Sequence, residues 1–74
     1  MKLSDLQAKK VIDIISGSNI GTIMDVDISD DGNINFLVLD SGKSFFSLNR
    51  ESDLIVKWSQ ITKIGEDVIL VKKE

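Results

Sequence analysis

The sequence has no cysteine, no histidine and no proline, and aromatic residues make up only 5% of it. Without cysteine the chain cannot form disulfides, and without cysteine or histidine it lacks the ordinary zinc ligands. A chain of 74 residues has room for one modest core, and such small domains often compensate by self-association. The composition therefore predicts a single domain over residues 1–74 that forms a homodimer.

Basic charge and long apolar runs are also scarce. Nine lysine and arginine residues stand against twelve carboxylates, which gives a net charge of −3. Nucleic-acid-binding domains usually carry a basic surface because phosphate contacts dominate their affinity, so this balance argues against such a partner. The longest apolar runs, 36–39 and 68–71, are four residues long. Since a membrane span needs about 20, we expect a cytoplasmic protein without one.

The chain does contain a series of short apolar segments separated by turns. Asp31-Gly32 is the strongest hairpin signal, because glycine accepts a positive φ and aspartate bonds the local backbone. At the start, Ser4 or Asp5 can cap a single helical turn. The predicted strands span 10–15, 20–29, 33–40, 44–48, 53–58, 61–64 and 68–72. These segments predict an all-β fold, a small barrel or sandwich with at most one helical turn.

Several of these strands carry apolar residues on both faces, because successive side chains of a strand point to opposite sides. A small barrel has no helical layer outside it, so corners, loops or a partner must bury the second set. We therefore predict an apolar surface that contacts a second copy or a protein partner. Its candidate residues are Leu37 or Leu39, Phe45 or Phe46 (whichever faces out), Ile55 and Trp58. For Trp58, a core position at a strand end is the favoured interpretation, and the contact role is the alternative.

Asp25 and Asp27 are the best candidates for chemistry. Strand alternation places them together, opposite a face shared by Met24, Val26 and Ile28. Their separation of about 7 Å along the strand resembles that of paired acid/base carboxylates. General acid catalysis needs a carboxyl group removed from water, and both should face solvent here. A solvated strand face is the favoured interpretation, and a carboxylate-dependent hydrolase is the alternative.

The acidic stretch from Asp25 to Asp31 also resembles part of a calcium-binding loop. With Asp27 in the first position of an EF-hand loop, Gly32 takes the sixth, but Val38 takes the twelfth, where glutamate is required. A hairpin turn is the better interpretation, and weak cation binding by this stretch stays open.

Nucleophilic catalysis has no support, because there is no histidine or cysteine. A serine–lysine arrangement would have to combine Ser44 or Ser59 with Lys57 or Lys63, and no motif indicates one. The phosphate-binding glycine motifs are absent as well. The sequence therefore predicts no enzyme, no metal site and no cofactor.

Three segments, taken in order, resemble a known family. They are LSDL at 3–6 followed by KKVID at 9–13, SGSNIGTIMDV at 16–26, and WSQITKIGEDVILV at 58–71. They are similar to the first strand, the glycine turn with the second strand, and the closing segment of the PRC-barrel domain. The match is strongest to its stand-alone YlmC/YmxH type, named as sporulation proteins of spore-forming Gram-positive bacteria. Lys57 departs from the family pattern, which usually has proline before the tryptophan.

The resemblance implies a small SH3-like β-barrel of about six strands without catalytic residues or cofactors. Relatives occur in the photosynthetic reaction centre H subunit and in the ribosome maturation factor RimM, where the barrel makes protein or ribonucleoprotein contacts. It thus implies a sporulation-associated adaptor. A ribosome- or RNA-associated module is the alternative, supported in the sequence only by Lys57, Lys63, Lys72 and Lys73.

Overall fold

A computed structural model describes residues 1–40 and 55–73 of the chain. It contains a short helix, six strands and one turn of 3-10 helix. In chain order these are α1 Leu3–Gln7, β1 Lys10–Asp13, β2 Asn19–Ile28, β3 Ile34–Asp40, β4 Ile55–Lys57, the 3-10 turn Trp58–Gln60, β5 Ile61–Ile64 and β6 Val68–Val71. The prediction of an all-β fold of about six strands is confirmed. The strand predicted at 44–48 lies outside the described residues.

The strands form one sheet in the order β4-β3-β2-β1-β6-β5. β1 pairs with β6 in parallel, and the other neighbours are antiparallel. Because β1 and β6 are the first and last strands, the two ends of the described chain pair inside the sheet and not at its edges. This order places β2, β3 and β4 side by side as one half of the sheet.

The helix α1 begins earlier in the chain than the capping pattern predicts. Asp5 does not precede the helix but lies in its first turn, where its carboxylate accepts the backbone N–H of Lys2 at 3.0 Å. That bond satisfies one of the amide groups left unpaired at a helix start. Leu6 is the buried residue of α1, and it anchors the helix on the sheet's core.

The hairpin between β2 and β3 forms at the predicted position. Gly32 adopts a φ of 90°, which glycine reaches without the steric cost a side chain would bring. Ser29 closes the turn, because its N–H donates to the Asn33 carbonyl at 2.8 Å and its carbonyl accepts the Gly32 N–H at 2.9 Å. The hairpin holds β2 against β3 as antiparallel neighbours, and their register shifts at two irregularities along the pair.

The core is apolar throughout the described part of the chain, where no polar or charged side chain is buried. Its residues come from α1 and from five of the strands. They are Leu6, Val11, Ile23, Leu37, Leu39, Val56, Ile69 and Val71. Burying these side chains is the main driving force available to a domain without disulfides.

The prediction that Met24, Val26 and Ile28 share one face is wrong. Met24 is the extra residue of a β-bulge, because its neighbours Ile23 and Asp25 pair with consecutive residues of β3. A bulge shifts the alternation by one residue. As a result Val26 packs against the core, whereas Met24 is 56% exposed. Ile28 ends β2 beside the hairpin and is 60% exposed there.

Candidate interaction surface

Two rows of side chains cross the side of β2, β3 and β4 that faces away from the core. The strand register aligns Asp27, Phe36 and Lys57 in one row and Asp25, Val38 and Ile55 in the other. We call these six residues the outer face. Each row takes one residue from each strand, so the face is three strands wide and two rows deep.

A third row of residues, which lies between the two rows of the outer face, shows that this face points away from the core. Val26, Leu37 and Val56 are aligned there. Leu37 and Val56 are fully buried, and Val26 packs against the core. Because side chains alternate along a strand, the residues before and after this row point away from the core.

The centre of the outer face is apolar. Phe36 and Val38 of β3 are half-buried, and Ile55 of β4 is 37% exposed. Ile55 is the most exposed of the three, and Phe36 and Val38 add partly exposed apolar surface on the same side of the sheet. Apolar side chains placed in this way can pack against an apolar partner surface.

The charges of the outer face lie on opposite sides of that apolar centre. Asp25 and Asp27 belong to β2, and Lys57 belongs to β4. The Asp27 carboxylate accepts a hydrogen bond of 2.8 Å from the Asn35 amide, which holds it in place. The Asp25 carboxylate accepts the Val26 N–H, also at 2.8 Å. One flank of the face is thus acidic and the other basic.

Trp58 directly follows β4 and begins the 3-10 turn. The turn is tied to the strand, because the Lys57 N–H donates to the Gln60 side-chain oxygen at 2.9 Å. Trp58 is 38% exposed, so it is not enclosed in the core, and the favoured interpretation of this residue as a core position is wrong. Trp58 and Ile55 are the two predicted contact residues that the structure places at the surface.

The structure corrects the prediction for Leu37 and Leu39. Both side chains have no exposed area, so neither can contact a partner in this conformation. The outward positions of β3 belong instead to Phe36 and Val38, which sequence reasoning did not select. The Asp31-Gly32 turn predicts that β2 and β3 pair with each other. The register shifts between these strands are not visible in the sequence, so it does not indicate which residues of β3 point towards the core.

Phe45 and Phe46 were also predicted as contact residues, and both lie outside the described residues. Ser44, considered for a serine–lysine pair, lies outside them too.

The acidic hairpin is organised by hydrogen bonds within the turn. The Ser29 hydroxyl donates to the Asp31 carboxylate, and this bond is the main cause that lowers the pKa of Asp31. Of the two aspartates considered for catalysis, Asp25 is exposed and Asp27 is half-buried. In residues 1–40 and 55–73, no three acidic side chains come together in a way that could hold a metal ion.

The lysines proposed for RNA contacts do not share one strand. Lys57 lies on β4 and Lys63 on β5, and Lys72 and Lys73 follow β6. Lys73 is engaged within the chain, because its ammonium group donates to the Ile55 carbonyl at 3.0 Å. That bond ties the end of the described chain to β4 beside the outer face.

Membrane insertion by a helix has no support in the described segments, since none of their helices has the length and apolarity of a transmembrane span.

Comparison with known proteins places the whole fold in a family. The family model described as the PRC-barrel domain matches residues 1–73. A Bacillus subtilis (strain 168) protein named "Probable sporulation protein YlmC" is 38% identical, and the match covers 97% of this chain and 91% of that protein. The B. subtilis protein YmxH is 32% identical, with 96% and 87% covered. A protein of Clostridium acetobutylicum is 31% identical, with 93% and 80% covered.

These matches confirm the resemblance that the three sequence segments predict. Neither the family description nor the name of the first relative refers to an enzymatic activity. With a model match over nearly its whole length, this chain belongs to the PRC-barrel family.

Proposed function

We propose that this chain is a non-catalytic association module that forms a homodimer through its outer face. The observation that carries the proposal is the apolar centre of that face. Phe36, Val38 and Ile55 lie side by side on the side of the sheet opposite the core. Water contact with such a patch is unfavourable, and a second copy that covers it removes that cost.

The size of the domain supports association. A single small core leaves little surplus stability, and the sequence has no cysteine with which to form a disulfide. Burying a second apolar surface between two copies adds to stability in the way that oligomerisation does for other small domains.

The absence of an enzymatic role is part of this proposal. The carboxylates of Asp25 and Asp27 accept hydrogen bonds from the Val26 N–H and the Asn35 amide. A general acid needs a desolvated carboxyl group, and Asp25 is exposed. Their positions fit the acidic flank of a contact surface better than an active site.

The setting of the association is proposed from the relatives. Because a relative with 38% identity over the chain is named a probable sporulation protein, we propose that the dimer serves as an adaptor during sporulation. A cytoplasmic location and a further protein partner belong to the same proposal.

Ile55→Asp tests the proposed surface. We expect a dimeric wild type in sedimentation velocity and a monomeric Ile55→Asp variant with an unchanged β-type circular dichroism spectrum. Ile15→Asp is the matched control, because Ile15 is 57% exposed but lies outside the strands. Ile55→Thr, which keeps a β-branched side chain, replaces the aspartate variant if that one unfolds. An Ile55 variant that folds and dimerises like wild type would overturn the assignment of the surface.

A further inference from the structure

The charge pattern of the outer face points to a second copy as its partner and to one orientation of that copy. We infer that the dimer's two-fold axis runs parallel to β3, so that Lys57 of each copy meets Asp27 of the other. This inference rests on the proposed function, since it specifies how the two outer faces are placed on each other.

The geometry starts from the row Asp27–Phe36–Lys57. Register pairs Phe36 with Asp27 on one side and with Lys57 on the other. Neighbouring strands are about 4.8 Å apart, so the Cα atoms of Asp27 and Lys57 lie about 10 Å apart, with Phe36 between them. The charge of the face therefore changes across the strands, from negative on β2 to positive on β4.

A homodimer built face to face uses the same patch twice, related by a two-fold axis in the plane of contact. An axis parallel to β3 carries β4 of one copy onto β2 of the other. Lys57 then lies over Asp27, and Ile55 lies over Asp25. The central apolar column of Phe36 and Val38 meets its own copy. Two opposite-charge pairs form at the two edges of one apolar contact.

The other simple orientation has its axis perpendicular to the strands. It carries each strand onto its own copy and exchanges the two rows. Asp27 of one copy then faces Asp25 of the other, at both places where the acidic flanks meet. Like charges brought together at an interface are strongly unfavourable, so the charge pattern selects the axis parallel to β3.

The sheets themselves permit the selected orientation. Face-to-face sheets pack with their strands within about 30° of one another. An axis parallel to β3 keeps the strands of the two copies aligned in this way. The charge pairs thus determine the relative orientation of the two copies, whereas apolar burial supplies most of the stabilisation.

Charge reversal tests the orientation. Asp27→Lys alone places lysine opposite Lys57, and Lys57→Asp alone places aspartate opposite Asp27. Each variant should weaken its own homodimer by about tenfold or more. An equimolar mixture of the two, one of them isotope-labelled, should form the heterodimer preferentially in native mass spectrometry. The double variant with both changes in one chain should dimerise about as well as wild type.

Matched controls separate local pairing from a change in net charge. Asp30→Lys and Lys63→Asp make the same charge changes at exposed positions outside the outer face. Neither should weaken the homodimer, and their mixture should give statistical proportions of the possible dimers.

The outcomes distinguish the two proposals. A dimeric wild type whose Asp27→Lys variant dimerises equally well or more tightly would overturn the inferred axis, because the perpendicular axis brings the introduced lysine to Asp25 of the other copy. In that case the association itself would stand. A wild type that stays monomeric would overturn the proposed function instead.

Discussion

Leu37 and Val38 are consecutive in the chain, yet they lie on opposite sides of β3. Leu37 has no exposed area, whereas Val38 is half-buried on the outer face between Asp25 and Ile55. Leu37 belongs to the core, whereas Val38 lies on the face that we propose as the contact surface. The proposed association requires this division between two apolar neighbours.

Alanine at each of these two positions should separate the two roles. Leu37→Ala leaves a cavity in the core and should lower the free energy of unfolding by about 2–5 kcal/mol. Val38→Ala should cost less than about 1.5 kcal/mol when the chain is dilute, because its side chain is only partly enclosed. Urea unfolding at low protein concentration, followed by circular dichroism, measures both values.

At high protein concentration the same comparison gains a second readout. The unfolding midpoint of a dimer rises with concentration. We expect Val38→Ala to reduce this rise relative to wild type. Equal losses of stability for Leu37→Ala and Val38→Ala in the dilute protein would contradict the division between inner and outer residues.

The β2–β3 hairpin should depend on the backbone conformation of Gly32. Its φ of 90° is strained for a residue with a side chain, although a Cβ at this position would touch no other atom within 4 Å. Gly32→Ala should therefore lower the free energy of unfolding by about 1–2 kcal/mol. Gly32→Asn should cost less, because asparagine tolerates positive φ better. Thermal unfolding of both variants checks the order, and a harmless alanine would contradict the strain argument.

The strands themselves were predictable from the sequence, and their pairing was only partly so. Turn residues bound each apolar segment, and Asp31-Gly32 located the hairpin that joins β2 to β3. The parallel pairing of β1 with β6 left no comparable signal. It joins segments far apart in the chain, and only the packing of the whole sheet determines it.

The inward and outward positions of β3 were not predictable. Five of the six residues from Ile34 to Leu39 are apolar, so alternation does not identify the buried set. On β2 the bulge at Met24 reverses the pattern halfway along the strand. A bulge depends on how two strands fit together, which a local period of two does not reveal. For this reason the sequence indicated an apolar outer surface but named Leu37 and Leu39 for it.

The hydrogen bond from Ser29 to Asp31 should be visible in the acid titration of the hairpin. Ser29→Ala removes the main cause that lowers the pKa of Asp31, so that pKa should rise. NMR titration of the Asp31 carboxyl signal measures the change. Ser16→Ala is the control, because the Ser16 hydroxyl bonds Asp13 in a different turn.

The sign of the effect on stability follows from linkage. A carboxyl group whose pKa is lower in the folded chain stabilises the fold above its unfolded-state pKa, and this contribution disappears as the pH falls through the folded pKa. The stability difference between wild type and Ser29→Ala should therefore be larger at neutral pH than in strong acid. An Asp31 pKa that does not respond to Ser29→Ala would refute the bond's role.

Sedimentation velocity of the wild-type chain, from low to high micromolar concentration, tests the central claim most directly. The account predicts a reversible shift from monomer to dimer, and it predicts that Ile55→Asp abolishes the shift while Ile15→Asp leaves it intact. A wild-type protein that remains monomeric at high micromolar concentration would contradict it.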